Sequence, residues 1–303
     1  MLRWRLLSAA VIISVLVTLV TADHQQWLVP IRGFWLLPVL LLIAVMATEE
    51  VLELLRHGGH TIDRVSTHVG VLAIVLAAAL PMVGDALGTR FPENSSFGRF
   101  GWPAVAASLG LIVAFTRQMQ LFVKPATAMV SLSLSVMVMI YIGGMLGFLA
   151  SLRLLDNEPL GIVALVSLLF ITKLADTGAY TVGKNLGKHK LTPVLSPGKT
   201  VEGAIGGFVF AIVGGLVYFR AIAPLVMGGD WQAPSIVGIV IYSLLVAVLG
   251  MIGDLAESLL KRDMQRKDSS RWLPGLGGVL DIIDSVLLAA PVAYLCWESG
   301  LLS

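Results

Sequence analysis

The chain has 303 residues, of which 57% are hydrophobic and only 13% charged, with a formal net charge of +2 and a mean hydropathy of +0.88. A soluble domain carries about 25% charged residues, so this composition excludes an ordinary soluble globule. It also carries no nucleic-acid signature, and the single cysteine, Cys296, excludes an intramolecular disulfide.

Apolar runs recur along the whole length and predict an all-α, polytopic integral membrane protein with about nine transmembrane helices. Leu6 to Val20 reads as a retained first helix rather than a secretory signal. The second span covers about Phe34 to Thr48 and runs into an amphipathic stretch, Glu49 to Arg56, that should emerge at the surface. The third is about Val69 to Leu87, the fourth Trp102 to Phe115 and the fifth Ala128 to Leu149. The sixth, Leu160 to Ala175, leads into Asp176 and a polar loop, 183–203. The seventh is about Ala204 to Tyr218, the eighth Ile236 to Ile252 and the ninth Val279 to Trp297, with a second polar loop at 261–278. Residues 1–150 would form the N-terminal half, spans one to five. Residues 151–303 would form the half that carries the chemistry.

Fifteen of the 21 Lys and Arg then fall on the N-terminal side and five on the other. The positive-inside rule places the N-terminus and both polar loops in the cytoplasm, as expected for a bacterial inner membrane.

Charge concentrates between Gly253 and Ser285. Asp281 and Asp284 lie three apart at a helix start, which puts both carboxylates on one face, and Asp254 and Glu257 repeat the spacing at the end of the preceding span. Charges at the edge of hydrocarbon are expensive and usually functional. Acids beside Lys261, Arg262, Arg266, Lys267 and Arg271 suggest a divalent metal held by carboxylates, with phosphate held by the bases. The plainer alternative is a pair of helix-start acids favoured by the macrodipole. Glu257 also reads as a surface partner for Lys261. Pro274-Gly275-Leu276-Gly277-Gly278 would let the backbone approach a ligand, with the N–H groups of the following helix start ready for an anion. Ser196-Pro197-Gly198-Lys199-Thr200 resembles a phosphate-contacting turn, but Pro193 stands where a P-loop needs its first glycine. Lys173 and Asp176 can neutralise each other, and His189 reads as a surface group.

The run Ser258-x-x-Lys261-Arg262, Lys267-Asp268-x-Ser270, Leu273-Pro274, Gly277-Gly278 and Asp281-x-x-Asp284 resembles the signature of the phosphatidate cytidylyltransferases, or CDP-diacylglycerol synthases. Asp176 to Tyr180, Ser196 to Thr200 and Glu202-Gly203 are similar to that family's second block. The motifs cover roughly the last 130 residues. Two positions depart from the pattern, Leu276 where the family has His and Ile282 where it has Arg.

The resemblance implies CTP and phosphatidic acid as substrates, CDP-diacylglycerol and pyrophosphate as products, the lipid bilayer as surroundings, and Mg²⁺ with room for a second cation. It implies Asp254, Asp281 and Asp284 as metal ligands and, with Lys261, as the catalytic set. Ser196, Lys199, Arg262, Lys267, Asp268, Asp176, Gly277 and Gly278 would bind substrate. A homodimer is implied by resemblance alone. The competing readings are a related lipid-phosphate transferase, an inactive lipid-binding paralogue, and a transporter. Charges confined to two loops on one side argue against the transporter.

Overall fold

A computed structural model gives the fold. It describes all residues except 1, 90, 93, 94, 124, 126, 156, 157, 229, 230, 271, 273–276 and 303, and the side chains of 2–9 and 158. Leu276, Arg271, Leu273, Pro274 and Gly275, which the sequence singled out, therefore lie outside the described residues.

The chain is helical almost throughout. Among the described residues six helices are long and apolar enough to cross a membrane, or seven if one bent pair is counted as a span. That makes it a polytopic integral membrane protein, with fewer qualifying helices than the nine the hydropathy suggested. The difference lies at the N-terminus. Helix α1 runs from Leu2 to His24, and the part with described side chains, Ala10–His24, is a shorter apolar helix. Helix α2, Leu37–His57, carries Glu49, Glu50, Glu53 and Arg56 in its second half, more charge than an apolar span tolerates.

The described chain divides into two compact units. The first comprises Met1–Leu154 and Asp263–Ile282; the second comprises Leu155–Arg262 and Ile283–Ser303.

In the first unit, α3 (Arg64–Ala78) bends by 48° into α4 (Pro81–Leu87), because Pro81 cannot continue the ladder. Helix α5, Gly98–Gln120, crosses α3 where Gly110 meets Gly70: a Cβ on Gly110 would lie 3.2 Å from the Gly70 Cα. Small residues of this kind let membrane helices approach closely without a hydrophobic driving force. Asp63 caps α3 by accepting from the Ser66 amide at 2.8 Å, and Arg117 from the end of α5 reaches the same carboxylate. Burial pushes the Asp63 carboxyl up, but the Ser66 and Arg117 hydrogen bonds outweigh it and hold the group below its ordinary value. The cap therefore stabilises at neutral pH and is lost as pH falls through that lowered value. Helices α6, Ala128–Val138, and α7, Met145–Arg153, are one span joined by a π-helical segment, Met139–Gly144.

In the second unit, α8 runs from Glu158 to Leu186. It does not stop at Asp176, as the sequence suggested, but carries the polar residues to Lys184 on helix. The expected loop is mostly a β-hairpin, β1 Lys190–Thr192 against β2 Ser196–Thr200, antiparallel. Thr200 then caps α9, Val201–Val217, accepting from the Gly203 amide at 3.1 Å. Helix α9 packs closely on α8, where Gly206 lies against Val182 and Gly207 against the Ala175 carbonyl. A second π-helical segment, Tyr218–Ile222, joins it to α10, Ala223–Met227. Helix α11, Ile236–Asp263, also outruns its predicted end by eleven residues, so Asp254, Glu257, Lys261 and Arg262 sit on helix rather than loop. Gln265, at φ 55°, ends it in the left-handed region. Helix α12, Leu280–Glu298, contributes its first residues to the first unit and the rest to the second.

Candidate active site

The predicted site residues gather into two polar clusters, one in each unit, and α12 supplies an aspartate to both.

In the second unit the cluster is built on α8, β2, α11 and α12. Lys199, near the end of β2, pairs with Asp254 of α11 at 3.0 Å, each side chain only partly exposed. Asp284 of α12 lies close beside this stretch of α11. Gly253 permits this approach, since a Cβ there would strike the Asp284 carbonyl. Lys173 and Asp176 pair at 3.2 Å, as the spacing suggested, and both also reach the Ser285 hydroxyl. Lys261 pairs with Glu257 at 2.6 Å. That pair is not on the surface as expected: the Glu257 side chain is 3% exposed and that of Lys261 12%. The helical run of α11 turns both inward along with Gly253. Arg262, one residue on, is exposed. Ser196 begins β2, half-buried. His189 is exposed and bonds Glu202 at 2.6 Å, a surface group as read.

In the first unit the cluster is built on α2, the 265–280 segment and the start of α12. Asp281 accepts from the Ser269 hydroxyl at 2.6 Å and from the Gly278 amide at 2.7 Å. Gly277 has φ 92°, and a Cβ there would lie 2.7 Å from the Asp281 carboxylate, so glycine is required on both counts. The backbone N–H groups of Val279 and Leu280, expected to await a phosphate, are already taken. Both donate at 2.8 Å to the carboxylate of Glu50 from α2. The anion at this helix start is the protein's own. Lys267 and Asp268 are exposed and, with Glu53, Arg266, Ser270 and Trp272, line a cavity of ≈ 570 Å³.

Glu50 is the residue sequence reasoning missed. It was placed on an amphipathic surface stretch, yet it is 0% exposed, among the buried Ala47, Val51, Leu54 and Leu55. The available signal was its position. It falls on the apolar stripe of α2 while Glu53 and Arg56 fall on the exposed face, and an acid on an apolar stripe demands a partner.

The donor set suits a hard divalent cation. Asp254 and Asp284 lie on neighbouring helices beside Lys199, and Mg²⁺ is usually held by one or two carboxylates plus substrate phosphates rather than by an all-protein cage. Among the described residues no group of three His, Cys, Asp or Glu is gathered to hold a metal ion. A site here would therefore be completed by substrate or water.

A helical membrane protein with lysines and aspartates interleaved at its helix ends defines a class suited to polyanionic substrates. The sequence model of the cytidylyltransferase family matches residues 3–299, and the chain belongs to that family. It is 45% identical over 151 residues to the phosphatidate cytidylyltransferase of Brucella suis biovar 1 (strain 1330), covering 49% of this chain and 53% of that protein. The corresponding protein of Bacillus subtilis (strain 168) is 41% identical over 155 residues, 51% of this chain and 54% of that one. That of Haemophilus influenzae is 40% identical over 131 residues, 43% of this chain and 44% of that one. The alignments span about half the length of the curated relatives they match.

Proposed function

We propose that the protein transfers a cytidylyl group from CTP to phosphatidic acid, giving CDP-diacylglycerol and pyrophosphate. The observation that carries this reading is the pairing of Asp254 with Lys199, on a helix packed against Asp284, in a chain of the cytidylyltransferase family. A phosphate oxygen of the lipid attacks the α-phosphorus of CTP, and the bond from that phosphorus to the β-phosphate oxygen breaks. A phosphate monoester is largely dianionic near neutral pH, with a second pKa of about 6, so the nucleophile needs no dedicated base. Bringing two polyanions together is the obstacle, and positioning with charge neutralisation meets it.

In this reading Asp254 and Asp284 in one cluster, and Asp281 in the other, are the carboxylates that would hold Mg²⁺, which would neutralise phosphate charge. Lys199 and Lys261, each held by an acid, present cations at fixed places. Arg262 and Lys267, which are exposed, take phosphates of CTP or of the lipid head group. Asp176 orients Lys173, and Asp268 shares the cavity with Arg266 and Lys267. Ser196 lies on the same hairpin as Lys199, and Gly277 and Gly278 bring backbone close to the reacting phosphates. The basic side of the chain faces the cytoplasm, where CTP is found, and the lipid enters from the bilayer. A homodimer is part of the same proposal.

Purified protein in detergent, given CTP, phosphatidic acid and Mg²⁺, should release pyrophosphate only when all three are present, and Asp281→Ala should release none. Absence of release under conditions where a phosphatidate cytidylyltransferase works would overturn the reading. Restoring Leu276→His and Ile282→Arg would then separate lost activity from an altered lipid substrate.

A further inference from the structure

We infer that Glu50 of α2 is a positioning residue for the reaction: it clamps the segment that carries Ser269, Ser270 and Gly278 and thereby sets the Asp281 carboxylate. The inference rests on the proposed cytidylyl transfer for its kinetic readout alone.

Glu50 is wholly buried, takes three donors and faces a fourth hydroxyl, all from residues more than 200 positions away. One carboxylate oxygen accepts from the Ser270 hydroxyl at 2.7 Å and the Val279 amide at 2.8 Å. The other accepts from the Leu280 amide at 2.8 Å and faces the Ser269 hydroxyl at 3.3 Å. Ser269 has one proton, and its nearer acceptor is Asp281 at 2.6 Å. That hydroxyl is therefore lodged between two carboxylates. The donors at the head of α12 are divided between them too, with Gly278 donating to Asp281 and the next two amides to Glu50.

The partners of Glu50 among the described residues are hydroxyls and amides, with no cation. What stabilises its charge is the positive end of α12 and charge-assisted hydrogen bonds. A serine or threonine cap would satisfy a helix start more cheaply. A buried carboxylate delivered from a different helix does something a local cap cannot. It ties Ser270 and the head of α12 to one rigid point, with the Ser269 hydroxyl held between it and Asp281. Asp281, one residue beyond the clamped Leu280, has little freedom left. Ligand orientation by such outer partners typically accounts for about 10–100-fold in activity or metal affinity.

Glu50→Gln keeps the shape but offers one acceptor oxygen and turns an amide NH₂ towards N–H and hydroxyl donors. In full-length protein in detergent, without ligands, hydrogen–deuterium exchange over residues 277–282 should be at least about ten-fold faster than in wild type, while peptides from α5 and α8 stay unchanged. In the pyrophosphate assay kcat should fall by about 10–100-fold, half-saturation by Mg²⁺ should rise, and KM for CTP should stay nearly constant. Unchanged exchange overturns the clamp. Faster exchange with wild-type kcat and Mg²⁺ dependence below the melting temperature overturns the positioning role, leaving a structural brace. If Glu50→Gln does not fold, Ser269→Ala decides instead, because it leaves Glu50 three donors and removes only the link to Asp281. Its kcat should fall without loss of thermal stability, and an unchanged kcat overturns the inference. Should wild type itself release no pyrophosphate, the proposed activity fails, and the exchange measurement still decides the clamp.

Discussion

Gly278→Ala is expected to lower pyrophosphate release by about 10²-fold, the loss typical of displacing reacting groups by about 1 Å. The added Cβ would fall on the Ser269 hydroxyl and on both carboxylate oxygens of Glu50. Neither neighbour can retreat cheaply. Glu50 is held by three donors and Ser269 by Asp281, so relief must come from moving the 277–280 backbone. That movement shifts the Gly278 amide away from Asp281, to which it donates. Overpacking of a filled interior costs about 1–3 kcal/mol, so the variant should still fold, and circular dichroism with a melting curve would verify this. Kinetics within a factor of two of wild type would show that the glycine turn tolerates a side chain and that the crowding around Glu50 has no bearing on turnover.

Much of the C-terminal chemistry was legible because it is written locally. Lys261 and Glu257, and Lys173 and Asp176, are each within one turn, and helix geometry alone pairs them. Helix ends were misjudged for a physical reason. Hydropathy reports where hydrocarbon stops, not where hydrogen bonding stops. Helices α8 and α11 continue for ten residues or so past their apolar runs, through Gly178, Gly183 and Gly253, to Leu186 and Asp263. The helix start after the glycine turn was read as ready for a ligand anion. Its anion is Glu50, about 230 residues earlier in the chain, a distance over which neither periodicity nor motif spacing carries information. The same holds for Lys199 with Asp254, joined only once β2 and α11 are folded.

The largest expected effect on stability lies away from the chemistry, at another pair invisible in sequence. Asp23 at the end of α1 is fully buried and faces Arg153 at the end of α7, itself 3% exposed, at 2.5 Å. The same carboxylate accepts from the Gly33 and Trp35 amides, both at 3.2 Å. It therefore fastens the connection between α1 and α2 as well as the guanidinium. Asp23→Ala takes the carboxylate away from a buried guanidinium and two amides, and removing one partner of a buried pair typically costs about 3–5 kcal/mol. Denaturant titration of the purified protein in micelles should show that loss. Replacing both residues, Asp23→Leu with Arg153→Met, should recover a large part of it, since most of the cost is the uncompensated charge rather than the lost attraction. An Asp23→Ala variant within about 1 kcal/mol of wild type, on the scale of an exposed ion pair, would mean that water or lipid head groups reach Arg153 and that the pair is not sealed.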